Sequence, residues 1–333
     1  MKNIFEEFPA PSQQKWLELV EKELKRTPEP LEIEESIWSD PFLEHKFEDK
    51  TILKKNSEGW LIFQKILISE NAQDQNSEVL SAINGGASAL HLVFDNDKPD
   101  FKEIFKNVDL KYITLSIEAE KDQAKILKIL DDYCFQTYGD SSQIEIITSE
   151  ADESKFIAIK PLQLISESPG KSLFENLSEI LSEAEKAGII DGNPFWIKLS
   201  SSENFYLNIA KIRALKILWE HILEANNTTA PEMRIWVQVG TTNPDPNQAA
   251  ISATQQAAAA ISGSADAIEI NTLEYSSDYP QGFAERITRN IQNLLWYESH
   301  LNKVDDPAAG SYFIEDLTEK IKNEIWNLFL KNR

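Results

Sequence analysis

Four histidines, one cysteine and a scatter of acids, amides and hydroxyls are the side chains with which this 333-residue sequence could do chemistry. His45 stands in an acidic N-terminal stretch, and His91 lies inside the apolar run ALHLVFD. His221 sits on a long amphipathic segment and His300 at a helix end. No two have metal-ligand spacing and none belongs to an H-E-x-x-H pattern, so no metal ligands are assigned. His91 reads as a satisfied core histidine, and His300, in a last helical turn, as a complement to the helix dipole. Cys134 has aromatic neighbours, Tyr133 and Phe135, and no adjacent base, so it reads as a buried structural thiol. As the single cysteine it excludes an internal disulfide and a thiolate zinc cluster, and it suits a reducing compartment. The acidic pairs Glu21/Glu23, Glu34/Glu35 and Asp131/Asp132 read as solvated helix and loop faces.

The elements that must position these groups follow from hydrophobic spacing. Apolar runs WLIFQKILIS (60–69), ALHLVFD (89–95), YITLSIEA (112–119), QIEIIT (143–148), FIAIKPLQLI (156–165), FWIKLS (195–200), RIWVQVG (234–240) and AIEIN (267–271) read as strands. Helical segments separate them, except between 148 and 156, where the helix is missing or reduced to one turn. Gly85-Gly86 stops the helix near Ser77–Ile83. Eight continuous apolar strands alternating with helices predict an α/β protein, a (β/α)8 TIM-type barrel over residues 56–333. Residues 1–55 read as an N-terminal helical and extended arm that docks on a subunit. Ser12 starts its helix, Trp16, Leu17, Val20 and Leu24 recur at helical spacing, and Pro28, Pro30 and Pro41 punctuate the stretch carrying Trp38 and Phe42.

Chemistry in such a barrel sits where strands end. Those ends read Ser69, Glu70, Asp95, Glu118, Thr148, Gln163, Ser200, Ser201, Thr241, Thr242 and Asn271. With no histidine or lysine general base among them, no catalytic residue is assigned. Gln163, Ser201, Thr241 and Asn271 remain as a candidate pocket. Composition narrows the partners. With 33 Lys+Arg against 55 Asp+Glu the formal charge is -22, which disfavours nucleic acid and anionic membrane surfaces. No apolar run is long enough to span a membrane, and MKNIFEEFPAPSQQ has no apolar signal region, so a cytoplasmic chain is expected. Only 11 residues are glycine, so phosphate-cradling loops are scarce.

Five ordered stretches resemble the barrel domain of the methylmalonyl-CoA mutase family: FPAPSQQKWLELVEKELK (8–25), GGASALHLVFD (85–95), FYLNIAKIRALKILW (205–219), GFAERITRNIQNLLWYESHL (282–301) and KVDDPAAGSYFIEDLT (303–318). DPAAGSY is similar to the small, non-catalytic subunit of the two-subunit bacterial enzyme. Without the family, the same stretches carry apolar stripes, Phe205, Ile209, Ile212, Leu215 and Trp219 in one, and Phe283, Ile287, Ile291, Leu294 and Leu295 in another. Arg286, Arg289 and Asn290 point away from the second stripe.

The resemblance implies an isomerase assembly in which a cobalamin domain supplies a D-x-H-x-x-G histidine to cobalt. No histidine here has Asp two positions earlier, and no second α/β domain follows residue 331, so adenosylcobalamin is expected in a catalytic partner and not in this chain. After the fifth strand active members carry Tyr-His, where this sequence has Gln163 and Leu164. Their last strand ends His-Thr-Asn, against Glu269-Ile270-Asn271 here, and a glutamine before Asp-Pro is replaced by Asn243-Pro244 before Asp245-Pro246. Replacing histidine by leucine removes a donor and its charge, so the chain is expected to be inactive alone. The leading expectation is therefore a non-catalytic small subunit of methylmalonyl-CoA mutase, docked on the catalytic large subunit. The alternative is a free-standing acyl-CoA or small-ligand binding barrel, weakened because no basic cluster marks the strand ends. A barrel half of a longer polypeptide, and an unrelated barrel enzyme, are the remaining readings.

Overall fold

A computed structural model describes residues 12–34, 37–43, 53, 59–69, 72–119, 122–139, 144–149, 156–190, 194–229, 232–273, 279–280 and 282–332. His45, Glu35 and Glu70 lie outside them. The arm begins with α1 (Gln13–Leu24), which Ser12 caps by accepting from the Lys15 amide, and no side chain of this helix is buried. Where the sequence suggested an extended stretch, β1 (Leu31–Glu34) and β2 (Ile37–Ser39) pair antiparallel. Ile37 is buried in the main core, and Asn204 and Lys320 donate to the carbonyls of Ile33 and Trp38 at 3.2 and 2.7 Å. These bonds fasten the hairpin to the body while Trp38 stays half exposed.

The body is the expected barrel. Strands β3 (Leu61–Ile68), β4 (Ala89–Phe94), β5 (Thr114–Ala119), β6 (Ile144–Thr148), β7 (Ile159–Ser166), β8 (Phe195–Ser200), β9 (Met233–Val239) and β10 (Ala267–Ile270) are all parallel. Pairing of β10 with β3, Ala267 opposite Leu61, closes the ring. Each strand is apolar on both faces because one face meets helices and the other fills the lumen. No described helix is long and apolar enough to cross a membrane.

The outer layer contains α2 (Ala72–Asn84), α3 (Phe101–Ile104), α4 (Gln123–Tyr138), α5 (Leu173–Glu185), α6 (Phe205–Ala225), α7 (Pro246–Ser262), α8 (Phe283–Tyr297) and α9 (Tyr312–Lys331). Their starts are written locally. Ser172 and Glu175 form a reciprocal capping box on α5. Asp245 accepts from the amides of Asn247 and Gln248 with Pro246 in the first turn of α7, so Asp-Pro is a helix-start signal. Helix α6 is buried around most of its circumference because α7 and α9 cover it, which its sequence as an amphipathic helix did not suggest.

Three expectations about charged residues change. Asp131 is not on a solvated face: it is buried, and its carboxylate accepts from the amides of Ile157, Ala158 and Ile159, holding the entry to β7 after a connection with no helix among its described residues. Arg289 is buried too, donating to Gln64 at 2.9 Å. A Cβ on Gly85 would sit 2.7 Å from its guanidinium, which is why glycine stands there. His300 lies beyond α8 in a left-handed conformation, exposed, and is not in the last helical turn.

Candidate functional site

The barrel lumen is built from alternate residues of each strand. Its middle is apolar: Phe63, Ala89, Ile147, Leu162, Trp196, Trp236 and Ala267 form one buried cluster, with Phe63 stacked on Trp236 at 4.3 Å. Two residues further along several of these strands, toward their C-terminal ends, the inward positions turn polar. These are Lys65 on β3, His91 on β4, Glu118 on β5, Lys198 on β8, Gln238 on β9 and Glu269 on β10.

His91 is the centre of this layer. Its Nδ1 lies 2.9 Å from Glu269 and its Nε2 3.0 Å from Glu118, and its ring meets the Trp236 face edge-on. A carboxylate only accepts, so both contacts are satisfied when both ring nitrogens carry hydrogen. The bond from His91 holds the half-buried Glu118 carboxyl down at about 2, against a desolvation that works the other way. Glu269 is fully buried. Desolvation opposes its ionisation, but hydrogen bonding from His91, the charges of His91 and Lys198, and Gln238 together keep it below the usual carboxylate range. Gln238 Nε2 donates to Glu269 at 2.8 Å and to Asn271 at 3.0 Å. A continuous polar chain therefore crosses the barrel mouth from Asn271 through Gln238, Glu269 and His91 to Glu118. His91 is thus a satisfied core histidine, as its setting in an apolar run suggested, but its partners are two lumen carboxylates.

At one end of this chain a pocket of about 510 Å³ opens at the C-terminal ends of β8, β9 and β10. Ser201, Thr241 and Asn271, three of the four residues singled out from sequence, line it together with Ser200, Gln238 and Gln256. Ser201 donates to Gln256, which is held in turn by Ser252 at 3.0 Å. Gln163 is not among them. Strand β7 starts later than the apolar run implied and continues to Ser166, so Gln163 is mid-strand, on the face opposite the lumen residues Leu162 and Leu164.

Lys65 and Lys198 are not at strand ends, and Glu269, noted only for its place in the last strand, acts in the lumen. The available signal was a charged residue inside an apolar run: Lys65 in FQKIL, Lys198 in FWIKLS, Glu269 in AIEIN. Strand alternation, period two, puts each on the same side as the lumen aromatics.

The fold and this mouth define a class: a closed parallel (β/α)8 barrel with an aromatic plug and a charged layer above it. Residues 195–332 match the family model described as methylmalonyl-CoA mutase. The methylmalonyl-CoA mutase small subunit of Porphyromonas gingivalis is 23% identical over 98% of this chain and 63% of its own length. The small subunit of Streptomyces virginiae is 32% identical over 40% of this chain and 22% of its own length. Mitochondrial methylmalonyl-CoA mutase of Bos taurus is 35% identical over 38% of this chain and 18% of its own length. Residues 195–332 are thus similar to the methylmalonyl-CoA mutase family, and nearly the whole chain is similar, at lower identity, to a small subunit of that enzyme. It spans less than two thirds of the length of these relatives.

Proposed function

We propose that the chain is a small-subunit-like barrel of a cytoplasmic methylmalonyl-CoA mutase, structural and not catalytic, docked on a large subunit that performs the cobalamin-dependent isomerisation of methylmalonyl-CoA and succinyl-CoA. The observation that carries this reading is the lumen. Phe63, Trp196 and Trp236 close the barrel axis, and His91 is tied to two carboxylates, so a bound acyl thioester would meet neither an open channel nor a free imidazole. Glu269 stands where the family resemblance would place a histidine, and it is spent on holding His91 and Gln238.

The chain's own donors do not fit cobalamin. His91 has both nitrogens engaged, and neither His221 nor His300 follows an aspartate by two residues. The cofactor belongs in this reading to the partner. The arm is the docking segment: its hairpin is fastened to the body through Ile37, while Trp38 and Leu31 face solvent. Co-expression with a catalytic mutase chain, followed by light scattering on the eluted species, tests the proposal. A one-to-one complex is expected, and a chain that elutes alone beside the catalytic chain overturns it.

The pocket favours a second reading, a free-standing acyl-CoA or small-ligand barrel. Its lining of hydroxyls and amides, with Glu203 beside them, offers hydrogen bonds but no phosphate-binding cation. Calorimetry with acyl-CoAs separates the two readings, since heat of binding to the isolated chain is expected only from the second.

A further inference from the structure

The mutase reading leaves two lumen lysines without a role. Lys198 projects from β8 between Trp196 and Ser200, and its Nζ lies 4.4 Å from the centre of the Trp236 ring. Among the described residues it has neither an ion pair nor a hydrogen bond, and its only close partner is that aromatic face. Glu118 and Glu269 are near enough to act on its charge, yet both are directed at His91. Lys65, on the inward face of β3 opposite His91, is the second cation in the layer and is likewise unpaired among the described residues. Beneath them the Trp236 indole N–H and the Ser116 hydroxyl are buried without a hydrogen-bond partner. Ser200, two residues beyond Lys198, and Gln238 of the same layer form part of the lining of the neighbouring pocket, which neither lysine lines.

Unmatched donors and cations gathered at one place suit a small ligand rich in acceptors. A largely buried amine that makes no direct ion pair among the described residues also has the setting of a nucleophile. Burial pushes the Lys198 ammonium down from its usual range, Lys65 acts in the same direction, and the pull of Glu269 and Glu118 does not cancel them. With His91 bonded to both Glu118 and Glu269, Lys65 and Lys198 are left as cations with no direct ion pair among the described residues.

We propose that Lys198 forms an imine with a short 2-oxo acid, with Lys65 pairing the acid's carboxylate and the pocket hydroxyls and amides receiving the remainder. The free amine of Lys198 adds to the keto carbon, forming the C–N bond. Both amine hydrogens leave with the carbonyl oxygen as water, and a C=N bond remains. No electrons are gained or lost, and no co-reactant is consumed.

The test uses the full chain, pyruvate as probe and cyanoborohydride to reduce any imine to a stable secondary amine, read by peptide mass spectrometry. One 1-carboxyethyl group on Lys198 is expected, gained faster than on the exposed Lys106, because the depressed Lys198 amine has the larger free-base fraction. The K65Q variant is expected to slow labelling by pyruvate more than labelling by propanal: loss of the Lys65 charge lowers the free-amine fraction of Lys198 for both probes, but only pyruvate also loses a carboxylate partner. Labelling spread over exposed lysines with no preference for Lys198 overturns the proposal. Equal effects of K65Q on both probes remove the 2-oxo acid assignment. Because the wild-type labelling pattern decides the first point, the result does not depend on a Lys198 variant that folds.

Discussion

His91 shows how much a single residue's meaning depends on what faces it. In ALHLVFD it is one polar group among apolar ones, and in the barrel it links two acids on strands 27 and 178 residues away. That link carries a pH signature. Glu118 is held at about 2 against an ordinary value of 4.5, so the stability it lends is fully present above pH 4.5 and is lost as pH falls toward about 2. In E118Q this acid-limb loss is expected to shrink, so the gap in melting temperature between wild type and variant closes over that range when followed by circular dichroism. A gap that stays constant from neutral pH down to about 2 would show that Glu118 is not coupled to folding.

At the scale of elements, the segment after α8 is held by buried ionic groups. Arg213 of α6 is fully buried, pairing with Asp306 and, at 3.0 Å, with Glu315 of α9. Asp306 also accepts from the Leu53 amide, and Glu315 from that of Gly310 at 2.8 Å. DPAAGSY is therefore an anchor that fixes α9 to α6. Removing the cation from a buried pair leaves uncompensated carboxylates, so R213M is expected to lose about 3–5 kcal/mol in urea unfolding. A loss below about 1 kcal/mol, the scale of an exposed ion pair, would show that the site is open to water.

At the scale of the whole molecule, the arm and the barrel share one core through Ile37, yet the outer face of the hairpin offers Trp38 to solvent. If this face meets the catalytic chain, W38A should leave the isolated chain's stability within about 0.5 kcal/mol, as surface substitutions do. The same change should weaken association by about 2 kcal/mol or more, the scale of a tryptophan hot spot, measured by titrating the two chains. Unchanged affinity would move the interface elsewhere on the barrel.

Local chemistry determined the elements. Alternating apolar strands and helices implied the closed barrel, Ser12 marked a helix start, and the neighbourhood of Cys134 indicated the buried thiol that the structure shows, its pKa pushed up to about 12 by burial. Ser201, Thr241 and Asn271 were legible because the last strands end where their apolar runs end. Tertiary structure decided the rest. Gln163 left the pocket because β7 extends past it, a shift that pairing with β8 sets and no local pattern reveals. Asp131, Arg213 and Arg289 became buried because their partners lie on distant segments, and a charge's burial depends on what closes over it. The charged layer at the mouth exists only once closure of the ring brings β3, β4, β5, β8, β9 and β10 around one axis.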